Sequence, residues 1–247
     1  MKILQVIPNL STGGAEVFVV SLCNALVNMG HNVTLLTFYS RNNEEFLYSR
    51  LDSHVDTICL PKRKGVDLLL SFRLKNLIRR GRYEVVHLHV QAIIYAILPC
   101  LVYRKCQYIA TIHNDAYKEA AGIHRWIRKF MFTNNLVTPV TISEESKVSF
   151  EALYKISSTM IYNGVSINYV QAGKATEDVS RYKLTPQTKI FVYVASVNGV
   201  KNQLNAAKAF NRLGSEGVDV VLLILGRLTE TEYCKRVRKE ASDHVII

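Results

Sequence analysis

The chain has 247 residues, of which 49% are hydrophobic and 21% are charged, and its formal net charge is +11. This is an ordinary globular composition, which excludes a largely disordered chain or a collagen-like repeat and suits one or two domains. The longest apolar run, Ala92–Tyr103, has 12 residues and contains Pro99. Because a membrane-spanning helix needs about 20 apolar residues, the sequence predicts no transmembrane segment.

The amino terminus and the cysteines both favour a cytoplasmic protein. Only a short strand-like stretch precedes Pro8, which is too short for the apolar part of a secretory signal. The five cysteines are widely spaced and form no C-x-x-C pair. We therefore expect free thiols in a reducing compartment rather than disulfides or a zinc site.

Residues 1–165 alternate between short β-type runs and amphipathic stretches of helical length. The predicted strands are Lys2–Ile7, Asn32–Phe38, Val55–Leu60, Glu84–Leu88, Cys106–Ile112 and Leu136–Ile142. The predicted helices are Ala15–Met29, Leu68–Arg80, Gln91–Arg104, Glu119–Phe132 and Ser143–Leu153. Strands separated by helices imply βαβ crossovers and a parallel sheet covered on both faces. This pattern predicts one doubly wound, Rossmann-like α/β domain.

The alternation stops at residues 166–187, whose polar composition is typical of a linker. It resumes over residues 188–247 with the elements Ile190–Ala195, Gln203–Leu213, Val218–Leu225, Glu230–Ser242 and a strand opening at Val245. A complete doubly wound domain usually needs about 100–150 residues. We therefore expect a second, incomplete Rossmann-like domain, truncated by roughly a hundred residues on the same size rule.

The first β-to-α turn contains Gly13 and Gly14. In open α/β sheets, ligands bind at the carboxyl ends of the strands, and glycines at a helix start let the backbone approach an anion such as a diphosphate. The spacing is not G-x-G-x-x-G, which disfavours NAD. A plain tight turn explains the two glycines equally well.

Three histidines end neighbouring predicted strands. Alternation places His87 and His89 on one face of the fourth strand, with His89 nearer the ligand-binding cleft. Since no third ligand type lies nearby, we do not expect a metal site. His113 follows the fifth strand, where an imidazole can hydrogen-bond a sugar hydroxyl, although a loop histidine with a structural hydrogen bond is an equal alternative.

Basic residues in three places are candidates for contact with anions. Lys201 begins the first helix of the second domain and can meet a phosphate there, although a solvated surface lysine is the simpler explanation. The stretches 62–82 and 124–130 interleave basic and apolar side chains, which is typical of contact with anionic lipid and also of an ordinary solvated helix. No RNA- or DNA-binding motif accompanies them, so nucleic acid is not an expected partner.

Several segments, taken in order, resemble one family. GGAE, VVHLH, ATIHN, VTISEES and IYNGVS resemble the amino-terminal half of retaining family-4 glycosyltransferases with the GT-B fold. FVYVASVNGVKNQLNAAKAF and VLLILGRLTETEYCKRV resemble the first two strand–helix units of that family's donor domain. The likeness runs nearly end to end, and its strength lies in the ordered series.

The resemblance implies roles for the residues singled out above. Gly13 and Gly14 would face the donor diphosphate, Lys201 would neutralise it, and His113 would lie near the transferred sugar as the catalytic-site histidine. His89 would line the cleft, and Asn163 with Gly164 would lead into the crossing between the domains. The implied donor is a nucleotide-diphosphate sugar, and no metal or other cofactor is required, because cations of the protein and helix ends take up the leaving-group charge.

By implication the reaction transfers a hexose to a hydroxyl of a carbohydrate or lipid-linked acceptor with retention, in cell-surface polysaccharide synthesis at the cytoplasmic face of a membrane. The family commonly has Gly-Arg where this chain has Ala195-Ser196, and its paired glutamates are expected beyond residue 247. We therefore expect weak donor affinity and little activity from this chain alone. The alternatives are a nucleotide-sugar epimerase or hydrolase, and a non-catalytic module that docks on a membrane or partner chain.

Overall fold

The computed structural model describes residues 1–11, 13–40, 45–65, 67–164, 179–228 and 231–247. These residues belong to two compact units, Met1–Tyr169 and Val170–Ile247. The division falls inside the predicted linker, of which residues 166–178 lie outside the described residues. The remaining part of that linker contains a 3-10 helix, Val179–Tyr182.

The first unit contains seven strands and eight helices among its described residues. The strands are β1 (Lys2–Ile7), β2 (Asn32–Thr37), β3 (Asp56–Cys59), β4 (Val85–His89), β5 (Gln107–Ile112), β6 (Thr138–Thr141) and β7 (Thr159–Met160). The helices are α1 (Gly14–Asn28), α2 (Glu45–Tyr48), α3 (Leu68–Gly81), α4 (Ala92–Tyr95), α5 (Ile97–Val102), α6 (Ala116–Glu119), α7 (Gly122–Thr133) and α8 (Glu144–Tyr154).

The seven strands form one parallel sheet in the order β3-β2-β1-β4-β5-β6-β7. The order reverses direction between β1 and β4, so right-handed crossovers place the helices on opposite faces of the sheet. Alternation along β2 shows both faces: Val33 and Leu35 pack in a core with α1, whereas Leu36 packs in a larger core with α3. The predicted doubly wound α/β class is confirmed for this unit.

Most predicted elements of the first unit are present, and the differences have local causes. The stretch expected as one helix over Gln91–Arg104 forms the two short helices α4 and α5. Pro99 lacks the N–H that would bond the Tyr95 carbonyl in a continuous helix. That carbonyl instead accepts a hydrogen bond of 2.8 Å from the Ser71 hydroxyl. The sequence does not predict helices α2 and α6 or strand β7. These elements have only two to four residues, which is too short to show a helical or strand periodicity.

The second unit contains β8 (Lys189–Val194), α9 (Gln203–Ser215), β9 (Val220–Leu225), α10 (Glu232–Arg238) and β10 (Val245–Ile246). Its strands form a parallel sheet in the order β10-β9-β8. A small core joins α9 and α10 to β9, with Ala207, Cys234 and Val237 completely buried. The predicted Rossmann-like character of this region is thus confirmed.

Candidate functional site

The strand order places the candidate site at the carboxyl edge of β1, β4 and β5. In an open α/β sheet the ligand crevice lies where the strand order reverses, which here is between β1 and β4. Register pairs Val6 with Leu88 and His89 with Thr111, so the three strands end side by side. The loops that follow them therefore meet at one edge of the first unit.

The glycine turn after β1 is shaped around a carboxylate. Helix α1 begins at Gly14, and Gly13 is its N-cap without a side-chain hydrogen bond. The Glu16 carboxylate accepts a hydrogen bond of 3.0 Å from the Ser11 hydroxyl. A Cβ atom on Gly13 would lie 2.3 Å from a Glu16 oxygen, whereas one on Gly14 would meet nothing within 4 Å. Glu16, for which the sequence predicts no role, therefore lies beside the place predicted for the donor diphosphate.

The histidines of β4 and the following loop form a hydrogen-bonded cluster with Gln5. The rings of His87 and His89 share one face, as predicted, with their centroids 4.2 Å apart. His89 Nδ1 lies 3.0 Å from His113 Nε2, and His89 Nε2 lies 2.8 Å from Gln5 Oε1. Phe18 of α1 contacts His113 edge to face at 5.5 Å between centroids, so the helix of the glycine turn packs on this cluster.

One expectation about this cluster is wrong. We expected His89 to line the cleft, but the structure buries it completely. Its two ring nitrogens are both engaged within the protein, by Gln5 and by His113. His87 and His113 are half-buried, so His113, and not His89, is the histidine that is partly exposed at this edge.

Burial keeps all three imidazoles neutral. Loss of solvation lowers the pKa of His113 to about 4 and, together with repulsion from His113, lowers the pKa of His87 to about 3. Loss of solvation, and to a smaller extent repulsion from His87 and His113, holds the pKa of His89 well below its usual range. His113 Nδ1 is buried and has no hydrogen-bond partner among the described residues. A neutral ring with one unpaired nitrogen can hydrogen-bond a polar ligand.

A buried ion pair fixes the loop that carries His113. Glu119 Oε1 accepts hydrogen bonds from the backbone N–H groups of His113 (2.6 Å) and Asn114 (3.1 Å). Its other oxygen lies 2.8 Å from Arg128 Nη1, and both side chains are almost wholly buried. Arg128 Nη2 donates to the Val90 carbonyl at 2.7 Å. Val90 has φ +54°, which β-branched residues rarely adopt, so Arg128 also holds a strained turn after β4.

This pairing corrects the interpretation of the basic stretch 124–130. Arg128 was expected among the surface charges of an amphipathic helix, but only 2% of its side chain is exposed. The apolar side chains exposed on α7 are instead Ile123, Trp126 and Phe130. Burial of the guanidinium is explained by its partner Glu119, nine residues earlier in the chain.

Lys201 lies in the second unit, in the loop between β8 and α9. Asn198 Oδ1 accepts hydrogen bonds from the backbone N–H groups of Val200 (3.1 Å) and Lys201 (3.2 Å). The completely buried Gln203 donates to the Ser196 carbonyl at 3.0 Å. Side chains of the loop therefore set its shape, while Lys201 itself is exposed and accessible to an anion. Its phosphate-binding role stays a prediction.

Asn163 and Gly164 lie three and four residues after the end of β7 and are exposed. Strand β7 is two positions from β5 in the sheet, about 10 Å away at the usual strand spacing. The structure therefore brings His89, His113 and helix α1 together, whereas Asn163 and Gly164 follow a strand that β6 separates from β5. Val165, which continues that predicted segment, lies outside the described residues.

Residues 12–169 match Glycosyltransferase Family 4, which is more than half of the chain. The chain belongs to this family. No curated protein matches the sequence significantly. Among the residues that the structure describes, no three His, Cys, Asp or Glu side chains are arranged to hold a metal ion. No helix in the described ranges is long and apolar enough to cross a bilayer.

The fold of this family-4 chain is similar to several solved structures. One is HepE of Anabaena in complex with UDP, with 14% identity, a TM-score of 0.74 and coverage of 100% of this chain and 68% of the other. Another is a sucrose-phosphate synthase from Thermosynechococcus elongatus, with 16% identity, a TM-score of 0.72 and coverage of 99% and 69%. These likenesses confirm the predicted GT-B-type fold.

A third similar structure is described as a putative UDP-N-acetylglucosamine 2-epimerase from Listeria monocytogenes. It has 10% identity, a TM-score of 0.62 and coverage of 100% of this chain and 68% of the other. The family-4 chain therefore spans about two thirds of the length of the structures that it resembles. At these identities the likeness concerns the fold, not the reaction.

The Glu119–Arg128 pair makes the first unit sensitive to one substitution on α7. We expect Arg128→Met to lower the free energy of unfolding by about 3–5 kcal/mol, because it leaves the Glu119 carboxylate buried without a cation. Urea unfolding followed by the fluorescence of Trp126, the only tryptophan, measures this. Lys129→Met, a change at the exposed neighbour, serves as the control and should shift the value by less than about 0.5 kcal/mol. Equal stability of the two variants would contradict the ion-pair assignment.

The neutral histidine cluster predicts a pH dependence of stability. Below the usual histidine pKa of 6.5 the unfolded chain binds protons that the folded chain, with the pKa of His113 at about 4, does not. The free energy of unfolding should therefore be constant above about pH 7 and fall as the pH drops toward about 4.5. Urea unfolding across this range should show a smaller fall in His113→Gln than in His124→Gln, which changes a histidine outside the cluster. An identical fall in both variants would exclude His113 as a source.

Proposed function

We propose that this family-4 protein transfers a hexose from a nucleotide-diphosphate sugar to a hydroxyl of a carbohydrate or lipid-linked acceptor, with retention of anomeric configuration. The observation that carries the proposal is the position of His113. Its neutral imidazole, with an unpaired nitrogen, ends β5 beside the point where the strand order reverses. Cell-surface polysaccharide synthesis is the role that we propose for this activity.

In this proposal the chain supplies binding and charge stabilisation without a metal. His113 hydrogen-bonds the transferred sugar, and His89 supports it from the buried side. Gly13 and Gly14 offer backbone N–H groups at the start of α1 to the diphosphate, and Lys201 adds a point charge. As the bond between the anomeric carbon and the diphosphate breaks and the bond to the acceptor oxygen forms, these groups stabilise the negative charge on the leaving group.

Glu16 adds a constraint to that arrangement. Its carboxylate lies against Gly13, where it would repel a diphosphate. Donor binding at the turn therefore requires the Glu16 side chain to turn away from Gly13, and its bond to the Ser11 hydroxyl would break. Gly14, which has open space beside it, is the better placed of the two glycines for close approach of a phosphate.

A cavity near the same edge suits the acceptor. It has a volume of about 230 Å³ and is lined by residues that include Pro8, Tyr39, Gln91, Tyr95 and His124. Pro8 follows β1 and Gln91 follows β4, so this cavity opens on the same reversal point as His113. Aromatic side chains with a few polar groups are typical of sugar-binding surfaces.

Lys201 provides the test of the donor site. We expect Lys201→Ala to weaken binding of a nucleotide sugar about 10- to 100-fold, because one charge-assisted phosphate contact contributes about 1.5–3 kcal/mol. Calorimetric titration with UDP-glucose, UDP-N-acetylglucosamine and GDP-mannose measures the affinity. Lys208→Ala removes an exposed lysine of α9 and should leave it unchanged. Equal loss of affinity in both variants speaks against the proposal.

The likeness to the Listeria structure keeps an epimerase or hydrolase as the rival function. A product assay separates these reactions, because transfer requires an acceptor, epimerisation does not, and hydrolysis releases free sugar. The remaining rival, a non-catalytic docking module, predicts no change of any nucleotide sugar with any acceptor.

We also propose that the first unit contacts an anionic membrane surface. Ile123, Trp126 and Phe130 are 65%, 69% and 46% exposed and recur at helical spacing on α7. Lys129 lies 5.9 Å from the Trp126 ring, so basic and apolar groups share this surface. Such a surface suits a lipid interface, where apolar side chains insert and lysines meet the headgroups.

The double substitution Trp126→Ser/Phe130→Ser tests this contact. It should abolish co-sedimentation with vesicles of phosphatidylglycerol and phosphatidylcholine, because it removes the inserting apolar groups. Val148→Ser changes an exposed apolar residue of α8 and is expected to bind as the unmodified chain does. Binding should also fall as salt rises. Unchanged sedimentation of the double variant would contradict the assignment.

A further inference from the structure

Gln5 is a buried polar residue in the middle of an apolar strand. Only 1% of it is exposed, and its neighbours Leu4 and Val6 are completely buried. Buried polar groups are expected to be paired, and Gln5 Oε1 lies 2.8 Å from His89 Nε2. An amide oxygen accepts hydrogen bonds and does not donate them. The hydrogen of this contact is therefore carried by His89 Nε2.

The position of that hydrogen on His89 determines the tautomer of His113. A neutral imidazole carries one hydrogen, so the neutral His89 with a hydrogen on Nε2 has a bare Nδ1. His89 Nδ1 lies 3.0 Å from His113 Nε2. Two bare nitrogens do not bond each other, so His113 Nε2 carries the hydrogen and donates it to His89.

The consequence appears at His113 Nδ1. With its single hydrogen on Nε2, the neutral His113 has a lone pair and no hydrogen on Nδ1. This is the nitrogen that is buried without a partner among the described residues. His113 is half-buried, but Nδ1 itself is covered by protein, so a hydroxyl reaches this nitrogen only when the covering atoms move aside.

We propose that Gln5 and His89 are positioning residues that hold His113 in the tautomer whose bare Nδ1 accepts a hydrogen bond from a hydroxyl of the bound sugar. The identity of that ligand rests on the proposed function, whereas the tautomer rests on the Gln5–His89–His113 contacts alone. The arrangement selects ligands by chemistry, because a hydroxyl can donate to Nδ1, while a fluorine or a carbonyl at the same place cannot.

The test is NMR of the full 247-residue chain with ¹⁵N-labelled histidine at neutral pH. The expected spectrum has a proton covalently bound to His113 Nε2, a scalar coupling across the hydrogen bond to His89 Nδ1, and no proton on His113 Nδ1. A proton on His113 Nδ1, or one bound to His89 Nδ1, would overturn the relay, by which we mean the two hydrogen bonds from His113 to His89 and from His89 to Gln5. This measurement needs no nucleotide sugar, so its failure is distinct from failure of the proposed function.

Two variants separate positioning from general stability. Gln5→Met removes the acceptor at similar volume and should speed exchange of the His113 Nε2 proton with water. Thr111→Val is the matched control: Thr111 is equally buried in this sheet and bonds His87 at 2.7 Å but not the relay. It should leave the His113 signals unchanged. Equal changes in both variants would count against the relay, and the spectrum of the unmodified chain tests it even if Gln5→Met does not fold.

Addition of UDP-glucose tests the ligand. With the tautomer as assigned, the His113 Nδ1 resonance should shift on saturation with UDP-glucose and should not shift with UDP alone. A saturated chain whose Nδ1 resonance does not move would overturn the sugar hydroxyl as the donor to Nδ1.

Discussion

The geometry of the site depends on the buried pair of Glu119 and Arg128. One carboxylate oxygen holds the backbone of His113 and Asn114, and the other meets the guanidinium, which also holds the Val90 carbonyl. The loops after β4 and β5 are thereby tied to α6 and α7 through one charge pair. Removing one partner of a buried ion pair lowers the stability of a protein by several kcal/mol. The pair therefore holds these loops in a single arrangement. That arrangement places His113 at the edge of the sheet.

Much of the fold follows from the sequence, and the reasons are local. The apolar runs of β1, β2 and β5 are long enough to be recognised as strands. The stretches that form α1 and α3 show apolar residues at helical spacing. The structure differs from the predicted elements where a single contact outweighs the hydrophobic periodicity of the sequence. Pro99 frees the Tyr95 carbonyl, which Ser71 then satisfies, and a stretch with one apparent period becomes two helices. Such a pairing joins residues 24 apart and leaves no mark in local periodicity.

The candidate site was less predictable than the fold. His113 was found from its position after a strand, but the contacts that support it join residues distant in sequence. Gln5 and His89 are 84 residues apart, and Val90 and Arg128 are 38 apart. One signal was present. A glutamine inside the buried strand Lys2–Ile7 needs a partner, and that requirement points to another polar group at the same edge. Arg128 gave no such signal, since basic neighbours on α7 made it look like a surface charge.

We propose that the carboxyl edge of β1, β4 and β5 holds the sugar of a nucleotide-sugar donor at His113. A crystal structure of the chain with a bound, non-transferable nucleotide-sugar analogue tests it most directly. A sugar hydroxyl should lie within hydrogen-bond distance of His113 Nδ1, with the Glu119–Arg128 pair intact beneath the loop. A sugar bound elsewhere on the chain, with His113 Nδ1 still covered by protein, would contradict it.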